Sequence, residues 1–283
     1  MKLLVLADLH LDHWLMEKRD PLCELDQATR SGVAHCIVAG DLCNKGHKRW
    51  TSCLEWVASK LPNAQVWVFP GNHDYYDGRI DRDDKLEAAA ESVGAHFAQK
   101  RSIEIDGHRF LCCTLWTNFN LFGEPQQWAA MHDAGRVMND YRYIRVERKG
   151  YGRLEPRETA AIHADHRGWL DAELAKPFDG ETIVVTHHAP HPKVLSRAGR
   201  SIDAAYASDL SRLIERHQPA WWIHGHTHHP TDFVLGRTRV ANASTGYPEE
   251  CPEGAGGRSF VLLDTDHLVE HDLRLGGSDT PAI

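Results

Sequence analysis

Residues 1–14 read MKLLVLADLHLDHW, an apolar run that gives way to Asp8, His10 and Asp12. The run is too short to span a membrane and lacks the small-residue cleavage site of a secretory signal, so we expect no membrane segment here. It predicts a buried first strand at 3–7 whose carboxyl end carries polar residues. Side chains two residues apart on an extended segment share one face, so Asp8 and His10 could bind one cation together.

The same pattern, an apolar strand followed by Asp, Asn or His, recurs along the chain. Five clusters occur in order: Asp8-Leu-His10, Gly40-Asp41, Gly71-Asn72-His73-Asp74, Thr186-His187-His188 and His224-Gly-His226-Thr-His228. Each cluster alone is a weak signal, because Gly, Asn and Asp also favour turns. In an α/β fold, however, the loops after strands face a ligand together. Residue types suited to divalent cations at five strand ends therefore predict one metal-binding rim.

The remaining sequence has the alternation of an α/β fold, with short runs of Val, Ile and Leu between stretches of helical period. The predicted strands span 3–7, 36–39, 66–69, 109–115, 182–186, 221–224, 232–235, 238–241 and 259–263. The predicted helices span 25–34, 48–60, 84–93, 158–175 and 204–217. Turn glycines at Gly107 and Gly236 lie between strand-like runs and predict two hairpins. Antiparallel pairs then accompany parallel ones, so we expect mixed sheets.

The length of the chain allows one large domain or two small ones, and the apolar content is enough for a sizeable core. The chain has 283 residues, of which 42% are apolar, and we expect a single domain over 1–275 with a polar tail at 276–283. Between 116 and 157 the pattern loses its period and mixes aromatic residues with charges, which predicts an insertion capping the core.

Charge and cysteine usage narrow the function classes. The formal net charge is -8, which argues against a broad surface that holds long nucleic acid. The seven cysteines form no CxxC pair, so neither a disulfide framework nor a cysteine zinc site is indicated. A reducing cytoplasm is the expected compartment.

The five clusters, in this order from Asp8 to His228, resemble the motifs of the calcineurin-like metallophosphoesterases. The family pattern is Asp-x-His, Gly-Asp, Gly-Asn-His-Asp, a later His and Gly-His-x-His. The resemblance implies a two-sheet mixed β-sandwich flanked by helices, with two metal ions at the C-terminal strand ends. Imidazole and carboxylate ligands suit manganese, iron, zinc or nickel.

Carried over by position, the resemblance implies a ligand set and two catalytic residues. It assigns one metal to Asp8, His10 and His228, a second metal to Asn72, His187 and His226, and a bridging role to Asp41. His73 would lie beside the scissile phosphate with its ring oriented by Asp74. Two cations about 3.5–4 Å apart can lower the pKa of a bridging water, which then attacks as hydroxide. Protonated His73 could donate to the departing oxygen as a general acid.

The sequence also departs from relatives. Asn44 stands three residues after Asp41, where purple acid phosphatases carry the tyrosine that binds ferric iron, so we expect no such iron site. The segment 242–247, NASTGY, resembles the Asn-Pro-Arg-Gly-Tyr segment of some bacterial relatives but lacks its arginine.

We therefore expect a hydrolase whose partner is a phosphorylated small molecule, either a phosphate monoester or a diester. Arg142 and Arg145 of the insertion are predicted to bind the substrate phosphate, since the arginine fork matches phosphate oxygens. A nuclease or nucleotide phosphodiesterase with the same centre is an alternative. A non-catalytic binding scaffold of the same fold is another, although such scaffolds usually have an incomplete ligand set.

Overall fold

The computed structural model describes residues 1–147, 150, 152–195 and 199–268, and the predicted tail at 276–283 lies outside them. The strands are β1 (Lys2–Leu6), β2 (Val33–Ala39), β3 (Gln65–Phe69), β4 (His96–Phe97), β5 (Arg101–Ile105), β6 (His108–Cys113), β7 (Arg145–Val146), β8 (Gly152–Arg153), β9 (Thr182–Thr186), β10 (Trp221–His224), β11 (Asp232–Leu235), β12 (Thr238–Asn242) and β13 (Val261–Asp264). The α-helices are α1 (Leu11–Met16), α2 (Gln27–Gly32), α3 (Gly46–Lys60), α4 (Asp83–Glu91), α5 (Glu124–Val137), α6 (Asp140–Tyr143), α7 (Pro156–Leu174) and α8 (Ser211–His217).

Two large sheets contain most of these strands. One sheet has the order β13-β1-β2-β3-β4, and the other has the order β11-β12-β10-β9-β6-β5. Neighbours are parallel except that β13 pairs antiparallel with β1, β11 with β12 and β5 with β6. The prediction of a mixed two-sheet fold is confirmed. Both hairpins are present, and Gly107 and Gly236 adopt the positive φ that their turns need.

The inward faces of the two sheets pack against each other. Leu3 and Val5 of β1 meet Ile183 and Val185 of β9 in this central core. Alternate residues point the other way: Val184 packs outward with residues of α7 and α8. Because strands buried on both faces carry apolar side chains at every position, their sequences read as continuous apolar runs.

Adjacent tryptophans show this alternation. Trp221 belongs to the core between the sheets, and Trp222 to the core under the helices. Each is almost fully buried, and burial of a large side chain contributes about 1.5–3 kcal/mol to the free energy of unfolding. Packing, rather than base stacking, is therefore their role.

Two predicted regions differ from the structure. The predicted insertion contains α5, a helix of 14 residues that its sequence did not indicate, because it buries only the small side chains Ala130 and Ala134. The helix predicted at 204–217 is wrong in its first half. A 3-10 turn, Ser201–Ala205, ends there, and α8 begins only at Ser211, whose backbone N–H donates to the Asp209 carboxylate. No helix in the described part of the chain is long and apolar enough to cross a membrane.

Candidate metal centre

The loops that follow β1, β2, β3, β9 and β10 lie together at one end of the sandwich. Backbone hydrogen bonds join them: Asp8 N–H donates to Gly40 O at 3.0 Å, and Gly225 N–H donates to His187 O at 2.9 Å. Since parallel strands end at the same edge of a sheet, these loops bring the five clusters of Asp, Asn and His into contact.

The first half-site consists of Asp8, His10 and His228, whose ligand atoms lie within 4.8 Å of one another. The Nε2 atoms of the two histidines are 3.3 Å apart, and His228 Nε2 is 3.2 Å from Asp8 Oδ1. His228 Nδ1 lies 2.9 Å from a carboxylate oxygen of Glu250, which can accept the Nδ1 proton. Nε2 of His228 is then the nitrogen that faces the half-site, the usual arrangement of a metal-binding histidine.

The second half-site consists of Asn72, His187 and His226. Asn72 Oδ1 is 3.0 Å from His187 Nε2, and His187 Nδ1 is 3.0 Å from the carbonyl oxygen of Ala39. The Nε2 atom of His226 is buried and has no hydrogen-bond partner among the described residues. Such an orphaned nitrogen is costly unless something coordinates it, so this set of nitrogen and oxygen atoms fits a divalent cation.

Asp41 lies between the two half-sites. Its Oδ2 atom is 3.5 Å from His187 Nε2 and 3.9 Å from His10 Nε2. Its ligand atom also groups with those of His187 and His226. This carboxylate therefore faces both half-sites.

The electrostatics show a site that needs positive charge. Burial alone would lower the pKa of His187, but the Asp41 carboxylate raises it to about 9. In the same way, Asp8 raises the pKa of His228 to about 10 against the effect of burial. Burial lowers the pKa of His226 to about 3. Protons on His187 and His228 thus neutralise the two carboxylates, and bound cations would take their place.

Several of these residues have strained backbones. Asp8, His10, Asp41, His226 and His228 have φ values of 52°, 38°, 52°, 67° and 46°. Positive φ is uncommon for residues other than glycine and costs of order 1–3 kcal/mol when the surroundings impose it. Strain concentrated on five residues of one cluster indicates that the fold holds them in place for function.

His73 lies at the edge of the centre, with a side chain that is 20% exposed. Its Nδ1 atom is 3.0 Å from Asn44 Oδ1, and its Nε2 atom is 3.3 Å from the hydroxyl of Tyr76. Asn44 donates its amide N–H to Asp12 at 2.9 Å, so its Oδ1 can only accept from His73. The Tyr76 hydroxyl donates to Asp140, so it too can accept from His73. Both ring nitrogens therefore face oxygen atoms that can accept a hydrogen bond.

The prediction that Asp74 orients the His73 ring is wrong. One oxygen of Asp74 accepts from the backbone N–H groups of Asp41 at 2.8 Å and Gly71 at 2.9 Å. The other accepts from the indole N–H of Trp50 at 2.7 Å. Asp74 therefore ties the loop after β2 to the loop after β3, because consecutive side chains of the 3-10 turn that contains His73 point in different directions.

Asp140 is a residue of the centre that the sequence did not reveal. It lies in the predicted insertion at the start of α6 and is 2% exposed. Its Oδ1 atom accepts from Asn72 Nδ2 and from the Tyr76 hydroxyl, both at 2.8 Å. Since the amide nitrogen of Asn72 is held by Asp140, its oxygen must face His187. The insertion thus orients a predicted metal ligand.

Aromatic rings line the rim of the centre. Tyr247 stacks on His10 with ring centroids 4.1 Å apart, and Tyr206 stacks on His226 at 5.3 Å. Both tyrosines are half-buried, so one face or edge of each remains open.

Among the residues that the structure describes, neither of the two predicted substrate arginines contacts the metal centre. Arg142 is exposed and donates to the carbonyl oxygen of Arg136 at 2.9 Å. Arg145 lines a separate cavity of about 530 Å³, and none of the predicted metal ligands lines it. Nothing in their surroundings supports the predicted contact with a substrate phosphate at the metals.

Comparisons with known proteins identify the family and the fold. The family model described as calcineurin-like phosphoesterase matches residues 1–230. The chain is 26% identical over 272 residues to a cAMP/cGMP dual specificity phosphodiesterase of Mycobacterium tuberculosis, covering 90% of this chain and 71% of the relative. Phosphopantetheinyl hydrolase from Mycobacterium tuberculosis superposes with a TM-score of 0.64 at 18% identity, covering 88% and 90% of the two chains. A Thermus thermophilus protein, TT1561, superposes with a TM-score of 0.52 at 14% identity over 98% of both. These superpositions establish the shared fold.

Proposed function

The chain belongs to the calcineurin-like phosphoesterases and is a metal-dependent phosphoric ester hydrolase, and from this premise we propose that it cleaves small phosphate monoesters or diesters with His73 as general acid. The observation that carries the proposal is the position of Asp41 between two half-sites, with His10 on one side and His187 on the other. A scaffold without catalysis would have no need for a complete and strained ligand set.

Two divalent cations would be held by the half-sites. Asp8, His10 and His228 would bind the first, and Asn72, His187 and His226 the second, with Asp41 in contact with both. Bound there, the cations would supply charge neutralisation for the phosphate and activation of a water for attack. The manganese, iron, zinc and nickel forms are the ones to compare, because this ligand set suits each.

The protein supplies the proton for the leaving group. Asn44 and Tyr76 hold the His73 ring through its two nitrogens, and its Nε2 atom lies 4.0 Å from Asp41 Oδ2. This nitrogen therefore lies at the edge of the centre, close to where a phosphate bound by the metals would present its leaving oxygen. Donation to that oxygen typically contributes 10²–10⁴-fold to the rate.

The test is the dependence of rate on the leaving group. A departing alkoxide is basic and needs a proton, whereas a nitrophenolate does not. In the metal-loaded enzyme, His73→Asn should reduce kcat/KM for alkyl phosphate esters by about 10²–10⁴-fold and for nitrophenyl esters far less. His132→Asn, on the exposed face of α5, is the matched control and should change neither. Equal losses on both substrate classes would mean that His73 positions the phosphate without donating a proton.

A nucleotide phosphodiesterase is the second candidate, and two observations favour it. The relative that covers 90% of this chain is a cAMP/cGMP phosphodiesterase. The half-buried rings of Tyr206 and Tyr247 beside the half-sites could pack against a nucleobase. A panel of aryl monoesters, aryl diesters, cyclic nucleotides and short oligonucleotides, assayed with each metal, decides between the candidates. If none of these substrates is hydrolysed with any metal, the non-catalytic scaffold becomes the favoured function.

A further inference from the structure

A second cavity, of about 530 Å³, lies beside the segment that carries His73 and is not lined by any predicted metal ligand. The insertion forms part of its wall. β7 is joined to the segment by two backbone hydrogen bonds of 3.0 Å, from Arg145 N–H to Gly78 O and from Ile80 N–H to Arg145 O. Its volume lies within the range of small-molecule sites.

The cavity is lined by four cationic side chains, Arg79, Arg82, Lys85 and Arg145, and by three carboxylates, Asp74, Asp77 and Glu147. Asp74 accepts hydrogen bonds from backbone N–H groups and from the Trp50 indole and pairs with none of these cations. Among the lining residues, Arg79 pairs with Glu147 at 2.8 Å. The lining residue Asp77 pairs with Lys45 at 2.7 Å, and Arg82 pairs with Asp84 at 2.6 Å.

Two cations of the lining are left over. In the described part of the chain, no carboxylate forms a salt bridge with Lys85 or with Arg145. Both side chains are exposed and line the same cavity. Their two positive charges match the two negative charges of a phosphate group, which lysine binds as a point charge and arginine as a fork.

We propose that this cavity binds a phosphate dianion, either free or carried by a small organic molecule, at Lys85 and Arg145. The site is distinct from the metal centre and does not rest on the reaction proposed there. It also gives Arg145 a phosphate contact in a different place from the one expected from the sequence.

The experiment compares anion binding by the metal-loaded protein and by two double variants. Lys85→Gln/Arg145→Gln removes both uncompensated charges, and Lys18→Gln/Arg136→Gln removes two exposed cations outside the cavity. Titration calorimetry uses two probes that the enzyme cannot hydrolyse, inorganic phosphate for the free anion and methylphosphonate for the organic form. Metal content is measured in every sample, because the centre also binds anions.

We expect wild type and the control to bind one more equivalent of anion than the cavity variant, or to bind it at least tenfold more tightly. Binding of methylphosphonate at that site assigns a phosphorylated organic ligand, whereas binding of phosphate alone assigns the free anion. Identical isotherms for wild type and the cavity variant overturn the proposal.

Discussion

Replacement of Asp140 by alanine should weaken metal binding at the second half-site although Asp140 is not a predicted ligand. The change removes the acceptor of two hydrogen bonds, from Asn72 Nδ2 and from the Tyr76 hydroxyl, each of 2.8 Å. A hydrogen bond to a charged group contributes about 1.5–3 kcal/mol. Without Asp140, the amide of Asn72 can rotate and present its N–H group to the cation.

The expected size follows from this loss of orientation. Removing a residue that orients a metal ligand typically lowers metal affinity by about 10–100-fold. That factor corresponds to about 1.4–2.7 kcal/mol, which agrees with the loss of one charge-assisted hydrogen bond at Asn72. We therefore expect one metal to be lost on dialysis from Asp140→Ala while the other is retained.

The assay is a metal titration of apoprotein, followed by metal content and by rate with a nitrophenyl ester. Asp140→Asn keeps an acceptor oxygen without the charge and should lie between wild type and alanine. Asp133→Ala is the control, since it removes a carboxylate from the same insertion. The Asp133 carboxylate contacts His132 and Ser201. Wild-type affinity for both metals in a folded Asp140→Ala protein would refute the reasoning.

Three further outcomes follow from the described contacts. Asp41→Asn should lose both metals and turnover because one carboxylate contacts both half-sites, and metal analysis that finds two tightly bound ions would contradict this. Glu250→Gln should weaken the metal at the first half-site by about 10–100-fold, because His228 Nδ1 loses its charged acceptor, and metal titration measures it. Burial lowers the pKa of His166 from 6.5 to about 4. As the pH falls, the unfolded chain therefore takes up the proton before the folded protein does. The free energy of unfolding should decrease between about pH 6.5 and pH 4. His166→Gln should flatten this dependence by up to about 3 kcal/mol in urea unfolding, whereas exposed His132→Gln should not.

The sequence was sufficient for three strands of the second sheet. β9, β10 and β11 match their predicted bounds, because short apolar runs bordered by polar residues leave little choice of register. The proximity of the five clusters also followed from sequence, since residues at the carboxyl ends of parallel strands meet at one edge. Both results follow from local sequence patterns and from the rule that parallel strands end at the same edge of a sheet.

The residues that orient the ligands left no comparable signal. Asn72 and Asp140 are 68 residues apart, and His73 and Asn44 are 29 apart. A hydrogen bond across such a separation depends on where the whole insertion or loop packs, and no local spacing encodes it. The arginines of the insertion were predicted to bind the substrate because their chemistry matches phosphate. The side chain that reaches the centre is instead the neighbouring carboxylate, Asp140.

The error at Asp74 shows why neighbours in sequence can have separate roles. Asp74 holds the backbone of Asp41, and the backbone N–H of His73 donates to Asp41 Oδ1 at 2.8 Å. One oxygen of Asp41 is thereby occupied by the backbone, so Oδ2 is the oxygen left to face His10 and His187. The donor in this bond is the main chain of residue 73 and not its ring. His73→Asn therefore leaves the Asp41 carboxylate in place, and a loss of rate that is larger for alkyl than for nitrophenyl esters in that variant reports on the proton and not on the metals.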